Sequence, residues 1–173
     1  GQHVVLGSRS AAAGEAAASH FTEALRCKAD FEFAYRDLYL ALCQKGELSR
    51  AKDLVKNAIS AFPKSAEFQF YLGNLLSDEN AFASAIAHYE TALSLRNDAA
   101  ETHNMLGNAL WKSGNLERAL TCYRTVITLK PDRVDPHMNV GTILRQQGKV
   151  QDAITSYKQA VALGPEHSVA HHY

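Results

Sequence analysis

Apolar residues recur along this chain at helical intervals, and the recurrence itself repeats. In one stretch Leu106 and Leu110 precede Gly114, and Leu116, Ala119, Leu120, Tyr123, Val126 and Ile127 follow it. Spacings of three and four on both sides of a glycine predict two amphipathic helices joined by a tight turn. Displacing the chain by 34 residues superimposes this pattern on itself. One column holds Leu38, Leu72, Leu106 and Val140, and the next holds Tyr39, Gly73, Gly107 and Gly141. Further on come Leu42, Leu76, Leu110 and Leu144, then Gly46, Asn80, Gly114 and Gly148. The second half of each unit aligns Ala51, Ala85, Ala119 and Ala153, then Val55, Tyr89, Tyr123 and Tyr157. No gap is needed from Glu32 to His167. Each unit cannot bury its apolar face alone, so the units stack.

The punctuation fits this division. Gly46, Gly114 and Gly148, with Asn80 in their column, stand where a left-handed residue ends a first helix. Pro63, Pro131 and Pro165 fall just past the second helix and stop it. Gly73, Gly107 and Gly141 are expected to face Ala85, Ala119 and Ala153 where the two helices cross closely. The predicted organisation is four units, 32–65, 66–99, 100–133 and 134–167. A partial unit is expected over 1–31, with Glu15–Ala29 as its second helix and Val4–Ala13 as its first. A further unit would start at 168–173. No polar capping helix closes the far end, which reads as a piece of a longer array with a raw apolar face suited to self-association.

These features resemble the tetratricopeptide repeat family. The resemblance rests on Leu72-Gly73 and Leu106-Gly107, the turn glycines, the Ala–aromatic–Ala spacing and the closing prolines. It covers at least Glu32 to His167 and implies an all-α fold, a right-handed α-α superhelix of antiparallel helix pairs. The chain departs from the pattern at Tyr39, in the glycine column. It departs again at Gln69, His103 and His137, where the family's aromatic survives only as Tyr35.

Composition narrows the function. Lys plus Arg and Asp plus Glu both number 18, so neither nucleic acid nor an anionic membrane finds the basic excess it needs. No apolar run approaches the roughly 20 residues of a membrane-spanning helix, and no signal peptide shows at the start. Cys27, Cys43 and Cys122 are odd in number and lack metal-ligand spacing. With no Asn-x-Ser/Thr site, they point to a reducing compartment, cytoplasm or nucleus, with the endoplasmic-reticulum lumen as the alternative. His103, His137 and His171 share a column, but a repeat spacing of ~10 Å is too wide for a common metal. His88 is expected to face solvent. No nucleophile elbow or phosphate loop occurs, so no catalytic centre, metal or cofactor is expected.

A solenoid of this kind binds along the inner surface lined by its first helices. Subtracting the packing columns leaves Arg36, Asp37 and Leu40 in the first unit and Glu67, Phe70, Tyr71 and Asn74 in the second. The third leaves Glu101, Asn104, Met105, Asn108, Trp111 and Lys112, and the fourth Met138, Asn139 and Arg145. Asn74 and Asn108 share a column, near Asn104 and Asn139. This looks like the asparagine-lined groove of O-GlcNAc transferase arrays and peroxisomal targeting receptors, which implies a grip on peptide backbone. The bland alternative is a solvated polar face. Phe70, Tyr71, Met105, Trp111 and Met138 form either an apolar strip for anchors or contacts buried between helices. Glu67, Glu101 and Asp135 form an acidic column that would favour a neutral or basic guest. Only Arg36 is placed like the family's carboxylate clamp, which argues against chaperone tails. The expected function is a non-enzymatic scaffold for a peptide or partner segment. The alternative is the substrate-recruiting array of an O-glycosyltransferase whose catalytic part lies elsewhere; residues 168–173 look like the repeats of an O-mannosyltransferase family.

Overall fold

The computed structural model describes residues 32–164. The expected helices within 1–31, Pro165 and the start of a unit at 168–173 lie outside the described residues. Within them the chain is all α and contains eight helices. The first helices of the pairs are α1 (Glu32–Gln44), α3 (Ala66–Asp78), α5 (Ala100–Lys112) and α7 (Val134–Gln146). The second helices are α2 (Leu48–Ala61), α4 (Phe82–Leu95), α6 (Leu116–Leu129) and α8 (Val150–Leu163).

Each first helix ends in the same hydrogen-bonded turn. Gly114 has φ +86°, and Asn115 N–H reaches back to Leu110 O at 2.8 Å. This six-to-one bond caps a carbonyl that the helix itself leaves open. Asn80 takes the same left-handed conformation at φ 60° without being glycine, and Ala81 N–H bonds Leu76 O at 2.9 Å. The turn is set by this reversal, so the helices lie antiparallel.

Packing is densest within each pair, and each second helix then packs on the first helix of the next pair. Among same-layer neighbours α3 touches α5 directly. The core follows the columns: Ala51, Ala85, Ala119 and Ala153 are buried, as are Tyr89, Tyr123 and Tyr157. Two apolar clusters meet near Leu76, one around α1–α3 and the other around α4–α8.

One packing expectation needs correction. Gly73, Gly107 and Gly141 make room for tyrosine rings rather than for the alanines. A Cβ added at Gly107 would lie 2.8 Å from Tyr123 Cε1; the corresponding distances are 2.6 Å for Gly73 to Tyr89 and 2.7 Å for Gly141 to Tyr157. The alanine column is small because the helices cross there, but the glycine serves the ring. This also accounts for Tyr39. In the first pair the large side chain sits on α1, and the facing column holds Val55 instead of tyrosine. Both are buried in one cluster, so the bulk has changed helices while the core stays filled.

Candidate functional site

The tyrosines that fill the glycine notches also reach the first-helix layer with their hydroxyls. Tyr89 Oη donates to Asn74 Oδ1 at 2.8 Å, and Tyr123 Oη donates to Asn108 Oδ1 at 2.6 Å. In the fourth unit Thr142 stands in the same column. Its hydroxyl donates to Met138 O at 2.9 Å, so Tyr157 Oη donates to Thr142 Oγ1 at 3.2 Å. In the first unit Leu40 faces a column without tyrosine, and it is 45% exposed. Burial pushes the Tyr89 and Tyr123 phenols well above their ordinary range, so they remain donors at any physiological pH.

Asn74 and Asn108 therefore do not merely sit in solvent. Their carbonyl oxygens are tied from behind, which fixes the amide plane and leaves the NH2 donors uncommitted among the described residues. Asn104 departs from expectation. It is only 5% exposed, and its Oδ1 has no partner among the described residues, so it belongs to the packed layer and not to an open wall. Asn139 is half-buried.

The aromatic and methionine residues are half-buried too. Phe70, Met105, Trp111 and Met138 pack on the central cluster, and Tyr71 stacks on Tyr39 with centroids 4.2 Å apart. Trp111 Nε1 donates to Gln146 Oε1 at 3.2 Å, across to the next first helix. They serve as a floor shared between neighbouring helices, with one edge open.

Several of the charges are paired. Arg36 Nε bonds Asp37 at 3.1 Å, which raises the guanidinium pKa. Tyr71 Oη donates to Glu67. Arg133 bridges Glu101 at 2.7 Å and Asp135 at 2.6 Å, and these carboxylates raise its pKa. Lys112 Nζ lies 5.5 Å from the Phe82 ring centroid, and Arg145 is exposed. One cation, Arg133, thus offsets part of the charge of Glu101 and Asp135, while the neutral phenol of Tyr71 leaves Glu67 its full negative charge.

Helix-face reasoning missed Arg133, Arg96 and Lys130, because they stand at helix ends and not on a periodic face. All three line a cleft of about 520 Å³ with Glu67, Phe70, Tyr71 and the first turn of α5. Their signal in the sequence was the shared column of Arg96 and Lys130.

His88 also differs from expectation: it is half-buried, with Nδ1 2.8 Å from Gln69 Oε1. His103 Nε2 lies 3.0 Å from Asn97 O, while His137 is buried. Among the described residues no group of three or more His, Cys, Asp or Glu is placed to hold a metal, and no helix is long and apolar enough to cross a membrane.

Comparison with known proteins places this architecture. The structure is similar to that of MamA, with a TM-score of 0.83 at 19% identity, covering 93% of this chain and 94% of that one. It is similar to YrrB, a TPR protein described as having an unusual peptide-binding site, with a TM-score of 0.80 at 22% identity over 95% and 84%. It also resembles PilF of Pseudomonas aeruginosa, with a TM-score of 0.71 at 24% identity over 80% and 64%. At these identities the likeness is one of fold. No curated protein matches the chain. The sequence matches the family model described as Tetratricopeptide repeat over 104–168, and that described as TPR repeat over 73–114. Together the two matches span more than half of its length, from 73 to 168, and the chain belongs to the tetratricopeptide repeat family.

Proposed function

We propose that this chain is a non-enzymatic scaffold that holds a peptide or partner segment along the layer formed by α1, α3, α5 and α7. One observation carries the reading: Asn74 and Asn108 occur in register one unit apart, each with its carbonyl fixed by a tyrosine and its amide donors uncommitted. Donors held at a fixed orientation suit a run of backbone carbonyls and ask little of the guest's sequence. The half-exposed floor of Phe70, Met105, Trp111 and Met138 beside them supplies apolar contact for guest side chains. YrrB, of the same fold, is described as having a peptide-binding site.

The test is an array of decapeptides probed with the whole chain, followed by titration of the binders. Asn74→Thr with Asn108→Thr is the informative variant. Thr142 already accepts the tyrosine bond in the fourth unit, so the fold is retained while the amide donors go. Peptide affinity should fall roughly tenfold, as for one or two lost hydrogen bonds. Unchanged affinity in a folded double variant would refute the reading.

A further inference from the structure

We propose that the cleft between α3 and α5 is an anion subsite of this groove, seating the carboxylate or phosphoryl oxygens of an acidic guest side chain. The inference rests on the groove reading and adds what part of the guest is recognised.

The first turn of α5 lines the cleft. Its N-cap is Ala99, whose methyl group cannot accept from the amides of Ala100, Glu101 and Thr102. Those N–H groups have no carbonyl within the helix and carry the positive end of its dipole. Thr102 supplies an independent sign. It is 4% exposed, it lines the cleft, and its hydroxyl has no partner among the described residues. Each other described threonine, 91, 121, 125, 128, 142 and 155, donates to the carbonyl four residues back. Thr102 has no helical carbonyl behind it, because position 98 precedes the helix. The other units place Ala34, Phe68 and Pro136 in this column, so packing does not call for a hydroxyl. Among the described residues only Asn104 and Gln147 hold a fully enclosed side-chain atom without a partner, so the Thr102 hydroxyl is open to the cleft, where a ligand or solvent can meet it.

Two cations flank the opening. Arg96 and Lys130 are the C-cap residues of α4 and α6, and neither has an ion-pair partner among the described residues. Of the carboxylates at the rim, Glu101 is offset by Arg133, while Glu67 accepts from the neutral Tyr71 phenol and keeps its charge, so Arg96 and Lys130 must outweigh it. Phe70 and Tyr71 form the dry wall, which strengthens the attraction and would receive an apolar neighbour in the guest. The site is particular to this junction. One unit earlier the columns of Arg96 and Thr102 hold Phe62 and Phe68. Their rings lie 6.0 Å apart, and Tyr35 lies 5.6 Å from Phe62, so aromatic packing occupies these positions.

The experiment uses the whole chain with Arg96→Gln/Lys130→Gln and Thr102→Val beside it. Valine keeps the threonine shape in a column that is otherwise apolar, so it should fold. A groove-binding decapeptide is made in three forms, with Glu, phosphoserine or Gln at one position. We expect the anionic forms to bind about tenfold tighter than the Gln form, an advantage that shrinks with Thr102→Val, disappears in the arginine–lysine double variant and weakens with salt. Glu against phosphoserine tells which anion the site prefers. An equal affinity for Gln, or an advantage that survives the double variant, overturns the subsite. In parallel, inorganic phosphate is titrated while the amide resonances of Ala100, Glu101 and Thr102 are followed. Peptides that bind without an anion preference, with phosphate leaving those amides unmoved, defeat the subsite alone. No peptide binding, with phosphate shifting those amides, defeats the groove and keeps the anion site.

Discussion

Replacing Gly107 by alanine tests the ring-in-notch packing directly. The new Cβ would lie 2.8 Å from Tyr123 Cε1 and 3.0 Å from Cζ, against an ordinary carbon–carbon contact of about 3.5–4.0 Å. The ring must retreat by roughly 0.7 Å on that contact distance. It has little freedom to do so, because Tyr123 is fully buried and its hydroxyl is held by Asn108 at 2.6 Å. Overpacking of this kind costs about 1–3 kcal/mol, while alanine gains about 1 kcal/mol over glycine inside a helix. The expected net loss is about 1 kcal/mol. Urea unfolding of a double-mutant cycle with Tyr123→Val separates the two contributions. Val55 shows that the column accepts valine, and with the ring gone Gly107→Ala should stabilise by about 1 kcal/mol. The coupling is then about 2 kcal/mol, well above the additivity error of about 0.5 kcal/mol. Gly114→Ala is the control. It has open space but φ +86°, so it should destabilise through the backbone and show no coupling to Tyr123. A stabilising Gly107→Ala in the native background, or a coupling within error, would refute the packing argument.

Two further outcomes concern titration. Desolvation lowers the His88 pKa below its ordinary 6.5. The unfolded chain therefore binds the proton more readily, and stability should be full above about pH 7 and fall as pH drops through 6.5 toward the lowered native value. His88→Gln should flatten that slope in urea unfolding at a series of pH values; an unchanged slope would contradict it. Burial pushes the Cys122 thiol up to about 11, so iodoacetamide at pH 8 should leave it unmodified until urea opens the helix pairs. Mass mapping that finds Cys122 alkylated as fast in the native protein as in urea would count against its burial.

The fold was legible because each unit repeats its own evidence. A leucine at helical spacing says little once, but Leu106 with Leu38, Leu72 and Val140 at one period specifies the stack, and Gly46, Asn80, Gly114 and Gly148 mark its turns. The candidate site was less legible, because subtraction assigns residues to a helix face without saying what meets them across the pair. Asn104 is polar yet packed inside, and Arg96, Lys130 and Arg133 belong to helix ends that no face analysis samples. One signal was present and went unread. Across the units Leu40, Asn74, Asn108 and Thr142 change together with Val55, Tyr89, Tyr123 and Tyr157, fifteen residues later. A polar acceptor appears wherever a phenol does, and Leu40 appears where it does not.

That correlation ties the groove chemistry to the core. Each phenol grows from a second helix, fills the glycine notch of the first and ends on the side chain one residue beyond that glycine. The asparagine amide can hold its orientation only while the ring is seated, and the ring is seated only while the notch stays empty. Leu40 illustrates the converse: with no phenol behind it, that point of the wall is apolar and exposed. The phenol-backed amides of the wall thus begin at the second unit, and they are positioned by tyrosines of the second helices. A core substitution such as Gly107→Ala should therefore disturb peptide affinity as well as stability, with the loss of affinity following the displacement of Tyr123.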